Sequence, residues 1–369
     1  MKGIHIYLIH KKQVINFALS LKYNIITERK IHNMPRNLLS IDIAKYIASV
    51  CVVAIHIFNT SSINNTTEFL FINGIARLSV PFFFCCTGYF LAEKGFENRK
   101  IIVSYIKKLL KTYFILSLIY IPIEIIKMIG TDTFNTKHII NYLHIIIVEG
   151  SFLHLWYFPA TIFAVWFIHI LFKRISFKYL CLASIFLYFI GVLGDGYAGT
   201  LILFPDWLQT IMRKYKTYFI STRNGLFFGF PFVIVGVAIF RNKNILNKFT
   251  FLPWFIISII VVCIETFFLG KFNIAEDYNM IISIFPATIF LFCTLLKMRI
   301  SSTYNKVNWR HYSSIIYESH LIFYGTLLSI IQLYNTESLD TKIVQFIIVL
   351  TGTHILSWLI SHKKQIQLY

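Results

Sequence analysis

Lys45 and His56 stand eleven residues apart in an otherwise apolar stretch, Ile41 to Phe58. A lysine holds an anion such as a phosphate as a point charge, and a neutral imidazole takes a proton from an attacking hydroxyl near neutral pH. On a helix, eleven steps of about 100° return to nearly the same face with a rise of about 16 Å. The spacing therefore predicts a cation near one membrane surface and an imidazole near the midplane, in line and about half a hydrocarbon thickness apart. Such groups are costly in lipid and mark functional sites. The simpler pairing is Asp42 with Lys45 at i,i+3 near the headgroups, leaving His56 to bond a neighbouring helix.

A second polar stretch follows in Arg77-Leu-Ser-Val-Pro81-Phe-Phe-Phe84-Cys-Cys-Thr87-Gly88-Tyr89-Phe90. Pro81 removes a helical hydrogen bond, and Gly88 admits close approach by a backbone or a ligand. A broken, partly polar helix beside a polar first helix predicts a lined cavity. Thr87 could donate to an oxyanion there. Other polar residues fall in apolar segments. Glu318 and His320 differ by about 200° around a helix, so they cannot form one ligand pair. Glu124 and Glu265 need structural partners. His154, Trp156 and Tyr157 sit at a span start and read as an aromatic belt. Arg223 and Asn224 open a later span and suit acceptor binding, whereas His138, His169 and His354 read as packing residues. No HExxH-type spacing occurs, which predicts no metal site. Six cysteines, all in apolar segments without CxxC pairing, read as reduced packing residues.

The elements that must position these groups are membrane spans. The chain has 369 residues, of which 57% are hydrophobic and only 14% charged, too apolar for a soluble domain. The net charge of +19 sits at the ends of apolar runs rather than in a groove-sized stripe, so it signals membrane orientation and not nucleic acid. Ten spans are expected, near 40–60, 74–92, 109–129, 154–172, 179–196, 224–240, 251–270, 279–297, 312–333 and 341–361. With both termini in the cytoplasm, 26 of the 35 lysines and arginines lie inside, as the positive-inside rule requires. One outside loop, with Arg213, Lys214, Lys216 and Arg223, breaks the rule. Either it folds back into the protein, or it faces an anionic ligand, or one span is miscounted. Residues 1–35 read as a cytoplasmic N-terminal arm on anionic lipid, or as sequence upstream of a true start at Met34; residues 36–369 form the transmembrane domain.

The motifs together resemble the acyltransferase 3 superfamily of integral membrane acyltransferases. The carriers are Lys45 to His56 in the Arg/Lys, ten residues, His pattern; Pro81 to Phe90; the basic Tyr105-Ile-Lys107-Lys108-Leu-Leu-Lys111; and Tyr317-Glu-Ser-His320. The likeness covers about residues 36–362. His154-Leu-Trp156-Tyr157-Phe158-Pro159-Ala160 and Arg223 to Pro231 are similar to the membrane part of VanT-type serine racemases, whose racemase domain has no counterpart here. Lysine stands where the superfamily commonly has arginine, and Thr87 where serine is usual. The resemblance implies an all-α bundle in the bacterial plasma membrane. It also implies transfer of an acyl group, most often acetyl, from cytoplasmic acyl-CoA to a hydroxyl of a cell-envelope glycan or small molecule. In that reading His56, Lys45 and Thr87 are catalytic, and Lys45, Lys107, Lys108 and Lys111 hold the CoA phosphates. Arg77, Tyr89, Arg223, Asn224, Glu318 and His320 then serve the acceptor. Intramembrane charges and broken helices also suit a transporter of a polar small molecule such as serine, which stands as the alternative. The sequence shows no paired half-repeats, and that favours the enzyme. A passive anchor leaves Lys45 and His56 unexplained.

Overall fold

A computed structural model describes residues 38–58, 65–130, 135–246, 248–298, 300, 307–334, 339 and 341–366; the N-terminal arm lies outside them. The described residues form α1 (Leu39–Phe58), α2 (Thr66–Asn73), α3 (Ser79–Lys94), α4 (Arg99–Gly130), α5 (Thr136–Val148), α6 (Tyr157–Phe172) and α7 (Phe177–Leu193). After these come α8 (Asp206–Phe219), α9 (Phe230–Arg241), α10 (Leu252–Lys271), α11 (Ile284–Lys297), α12 (Trp309–Tyr334) and α13 (Lys342–Ile366). Six helical stretches are long and apolar enough to cross a membrane: α1, α2 joined to α3, α4, α10, α12 and α13. Four shorter apolar helices cover 157–172, 177–193, 225–241 and 284–297. This is a multi-pass membrane protein.

Two expectations about the helices need correction. The second span was expected to be a broken helix, with Pro81 freeing a carbonyl, but α3 runs unbroken through Pro81 and Gly88. The break lies upstream, in a 3-10 turn at Ile75–Leu78. Pro81 is the third residue of α3, where a missing N–H costs nothing. Gly88 instead admits a neighbour: a Cβ there would collide with the Val233 carbonyl of α9, and one at Gly236 with the Cys85 carbonyl of α3. The two helices therefore touch backbone to backbone, as small residues allow in membranes.

The fourth span was expected to start at His154 in an aromatic belt. Its helix starts at Tyr157, and residues 149–156 form a non-helical segment packed against the middle of α4. Gly150 takes φ +92, a conformation that L side chains rarely adopt. The Tyr113 hydroxyl accepts from the Ser151 N–H at 2.9 Å and donates to the Ile146 carbonyl. Ser117 and Ser151 share a 2.7 Å hydrogen bond, and the rings of Tyr120 and Phe152 stack at 4.6 Å. Irregular backbone inside a bundle survives only with partners of this kind.

The loop that broke the charge rule folds back. Its α8 buries Met212, Lys216 pairs with Glu276, and Arg213 donates to the Thr210 hydroxyl at 3.2 Å. Glu265 finds the structural partners expected of it, accepting from Tyr197 at 2.7 Å, Ile282 N–H at 2.8 Å and Ser283 N–H at 2.7 Å. It thereby satisfies orphan donors at the start of the short α11. His169 and His354 are packing residues, bonded to the Phe96 carbonyl and the Tyr46 hydroxyl.

Candidate functional site

The irregular segment, α1 and α12 bring three histidines together. The ring centroids of His56 and His320 are 5.2 Å apart, and those of His154 and His320 are 5.0 Å apart. His154 also meets Tyr120 and Tyr317 edge-on, at 5.0 and 5.6 Å. His154 and His320 are buried, while His56 is half-buried. The Tyr317 hydroxyl donates to the His154 carbonyl at 2.6 Å, and Tyr120 donates to the Glu318 carbonyl at 3.0 Å. These two phenols tie the irregular segment to α12 and α12 to α4.

His320 has a definite tautomer by its partners. Its Nδ1 lies 2.9 Å from the Tyr317 carbonyl and 3.2 Å from that of Ile316, so Nδ1 carries the proton and donates. The lone pair is then on Nε2, which is buried with no hydrogen-bond partner. Among the described residues no group of three or more His, Cys, Asp or Glu is arranged to hold a metal ion.

Lys45 takes the simpler pairing. Its Nζ is 3.6 Å from Asp42 and 4.6 Å from the centre of the Phe90 ring. Asp42 also accepts from Nε and Nη2 of Arg310, each at 3.2 Å. α1 is continuous from Lys45 to His56, so the about 16 Å axial separation stands. Lys107 and Lys111 are exposed on α4 and Lys108 is half-buried. Thr87 donates to the Phe83 carbonyl at 3.1 Å and lies 3.4 Å from the hydroxyls of both Tyr105 and Tyr157. Tyr157 in turn packs edge-on against Tyr317 at 5.9 Å. A chain of phenols therefore leads from Thr87 towards the histidines.

The acceptor-side residues divide. Arg77 is held by Asn73, Asn279 and Asp277, the last at 3.2 Å. Asn224 caps the turn at Gly225–Gly229 through the Leu226 and Phe227 N–H groups, at 2.9 and 3.2 Å. Tyr89 is packed among the rings of Phe90, Phe240 and Phe292 and is not part of the histidine cluster. Glu318 follows Tyr317 on α12, and its backbone carbonyl accepts from the Tyr120 hydroxyl. Arg223 alone of these is half-buried without a counterion in contact. Its guanidinium lies 4.9 Å from the Trp156 ring, and its Nε is buried without a hydrogen-bond partner.

The sequence reading missed His154 as a member of this site. The signal was the polar run Glu149-Gly150-Ser151 and His154 inside an apolar stretch, which a rule for aromatic belts masks.

Helices that cross a membrane and converge on a buried histidine cluster define a polytopic membrane protein with an interior polar site. The chain belongs to the acyltransferase 3 family, whose acyltransferase domain matches residues 38–362. It is similar to an amino-acid racemase of Enterococcus faecalis, at 31% identity over 264 residues, covering 69% of this chain and 37% of that protein. It is also similar to a serine/alanine racemase of Enterococcus gallinarum, at 28% identity over 322 residues, covering 85% of this chain and 44% of that one. The chain spans less than half the length of either relative. No solved structure matches it.

Proposed function

We propose that the protein is a membrane O-acyltransferase that moves an acyl group, most often acetyl in this family, from cytoplasmic acyl-CoA to a hydroxyl of an envelope glycan or small molecule. The observation that carries the reading is the histidine cluster at one end of the α1 face whose other end bears Lys45. Ten crossings with both termini inside put the end with Lys45, Lys107, Lys108 and Lys111 in the cytoplasm, where the anionic head of acyl-CoA resides. The pantetheine arm carries the thioester along α1 towards His56. His56 takes the proton of the acceptor hydroxyl as its oxygen attacks the thioester carbon. A C–O bond forms, the C–S bond breaks, and the proton passes to the departing CoA thiolate. Thr87, beside Tyr105 and Tyr157, supplies donors for the oxyanion. Arg223, Glu318 and His320 face the acceptor, while Arg77 and Asn224 keep the surrounding loops in place.

The test is CoA release and label transfer by the purified full chain in detergent, given labelled acetyl-CoA and a panel of hydroxylated glycans and small molecules. Transfer that His56→Ala abolishes supports the reading. The second reading, transport of a polar small molecule such as serine, draws on the amino-acid-directed names of the relatives. Uptake into liposomes without CoA consumption, indifferent to His56, would establish it and overturn the first.

A further inference from the structure

Tyr188 and Asp195 mark two levels of one seam, where α7 and the turn after it lie against residues 274–286. The Tyr188 hydroxyl donates to the Ile281 carbonyl at 2.7 Å, and its ring packs on Phe285 at 5.1 Å. Past the end of α7, the Gly196 N–H donates to the Met280 carbonyl at 3.3 Å, the Glu276 N–H to the Asp195 carbonyl at 3.1 Å and the Gly199 N–H to the Ile274 carbonyl at 2.8 Å. These bonds lie at the end of the bundle opposite Lys45. Asn279 holds Arg77 just before α3 begins, whereas Lys45 packs on Phe90 near the end of α3.

Two cavities open along this seam. One of about 90 Å³ is lined by Ile185, Tyr188 and Phe189 of α7 and by Ile282, Phe285 and Pro286. Its side chains are apolar except for the Tyr188 hydroxyl, which is already bonded to Ile281, so it suits hydrocarbon and not water. The other, of about 220 Å³, is lined by Gln209, Arg213 and Lys216 of α8 and by Glu276. Lys216 pairs with Glu276. Arg213 gives one N–H to the Thr210 hydroxyl, and none of the described carboxylates pairs with it. Two cations against one acid leave one positive charge in this cavity unmatched.

The helix that carries those cations belongs at a bilayer surface. Exposed Trp207, Ile211 and Tyr218 fall within about 40° of one another around α8, and Gln209, Arg213 and Lys216 fall on the other side. Trp and Tyr beside a basic polar face are the marks of a helix lying in the headgroup layer. Lys214, on the apolar stripe, is exposed and long enough to snorkel.

We propose that the seam holds one anionic phospholipid, its phosphate against Arg213 in the polar cavity and an acyl chain in the apolar one. A phosphodiester carries one negative charge, which answers the one unmatched cation, and a guanidinium fork fits its oxygens. A zwitterionic lipid would add an ammonium whose only acid, Glu276, is already given to Lys216. Phe189 lies about one helical turn before the end of α7, a step that an acyl chain spans. The site is independent of whether the protein transfers acyl groups or transports a solute.

The experiment is equilibrium binding to the delipidated full chain in non-ionic detergent, read by native mass spectrometry and by the thermal midpoint. The probes are phosphatidylglycerol, phosphatidylcholine and glycerophosphoglycerol, which has the anionic headgroup without the chains. Phosphatidylglycerol is expected to bind as a single saturable adduct, to raise the midpoint, and to bind about tenfold more tightly than either other probe. Arg213→Gln, at an exposed position, should weaken phosphatidylglycerol about tenfold, the loss of a charged hydrogen bond. Ile185→Trp, which fills the apolar cavity from the exposed side of α7, should weaken it as well. Lipid-free midpoints equal to the wild type show that both variants are folded. Phosphatidylcholine bound as tightly as phosphatidylglycerol, or an unchanged affinity in Arg213→Gln, overturns the proposal. Glycerophosphoglycerol bound as tightly as the lipid overturns it too, since the polar cavity would then be a site for a soluble anion.

Discussion

The imidazoles of His56 on α1 and His320 on α12 lie 5.2 Å apart, centroid to centroid, with their planes tilted by 36°. Because two backbone carbonyls hold the His320 Nδ1 proton, its Nε2 can only accept, and that lone pair lies on the side of the ring not tied to its own helix. In the proposed reaction that lone pair orients an N–H brought to it. His56→Ala is expected to lower kcat at least 100-fold, within the range for loss of a general base. His320→Gln should lower it about tenfold, a positioning loss, and should move the acid limb of the pH–rate profile. A purely structural role for His320 would reduce kcat and leave the profile in place.

Lys45 shares Asp42 with Arg310, so removing it leaves no carboxylate unpaired. Lys45→Gln should therefore fold normally. Its effect should fall on the donor: KM for acyl-CoA rises about tenfold, which is about 1.4 kcal/mol, while kcat holds. Raising the salt concentration should weaken the wild-type advantage, since the contact is a point charge near a wet surface. A fall in kcat with KM unchanged would place Lys45 in the chemistry and remove it from donor binding.

Much of this was legible because apolar runs and their basic flanks are direct physical consequences of a bilayer. The continuity of α1 and the shared face of Lys45 and His56 follow from helical geometry alone. The pairing of Asp42 with Lys45 also follows from spacing, and it occurs on the same continuous helix that carries His56. What stayed hidden depended on distant partners. His154 reads as part of an interfacial belt until Tyr113 and Ser117, on another helix, are seen to hold the irregular segment inside the bundle. Pro81 reads as a break until the 3-10 turn before it shows that α3 merely begins there.

Gly88 and Gly236 mark the backbone contact between α3 and α9, where any Cβ meets a carbonyl of the opposite helix. Carbonyls cannot swing aside as side chains do, so the helices must separate. Gly88→Ala and Gly236→Ala should each cost about 1–3 kcal/mol, the usual penalty of overpacking, and lower the thermal midpoint in detergent. Gly325, inside α12, has nothing within 4 Å of its would-be Cβ, so Gly325→Ala should hold or raise the midpoint through helix propensity. Equal midpoints for all three variants would refute close helix contact as the role of Gly88 and Gly236.

Asp195 and Asp277 sit beyond the ends of the helices and titrate against each other. Burial first, and then the neighbouring Asp277 carboxylate, raise the Asp195 pKa to about 7 from 3.8. Burial pushes Asp277 the same way, but the Arg77 guanidinium outweighs it and holds Asp277 below its ordinary value. Asp195 is therefore the member that keeps a proton. An acid whose pKa is higher when folded binds that proton more tightly in the native state. Its contribution to stability is fully present below about pH 4 and is lost as pH rises through about 7. Asp277 adds the opposite dependence, but only below about pH 4, so the two windows separate. Between pH 5 and 8 the thermal midpoint of the wild type should fall as pH rises. Asp195→Asn, which still accepts from the Met280 N–H now at 3.0 Å from Oδ1, should flatten that slope and be the more stable protein at pH 8. A wild-type midpoint that climbs over the same range would mean that Asp195 is ionised in the folded protein and that Arg77 serves both carboxylates.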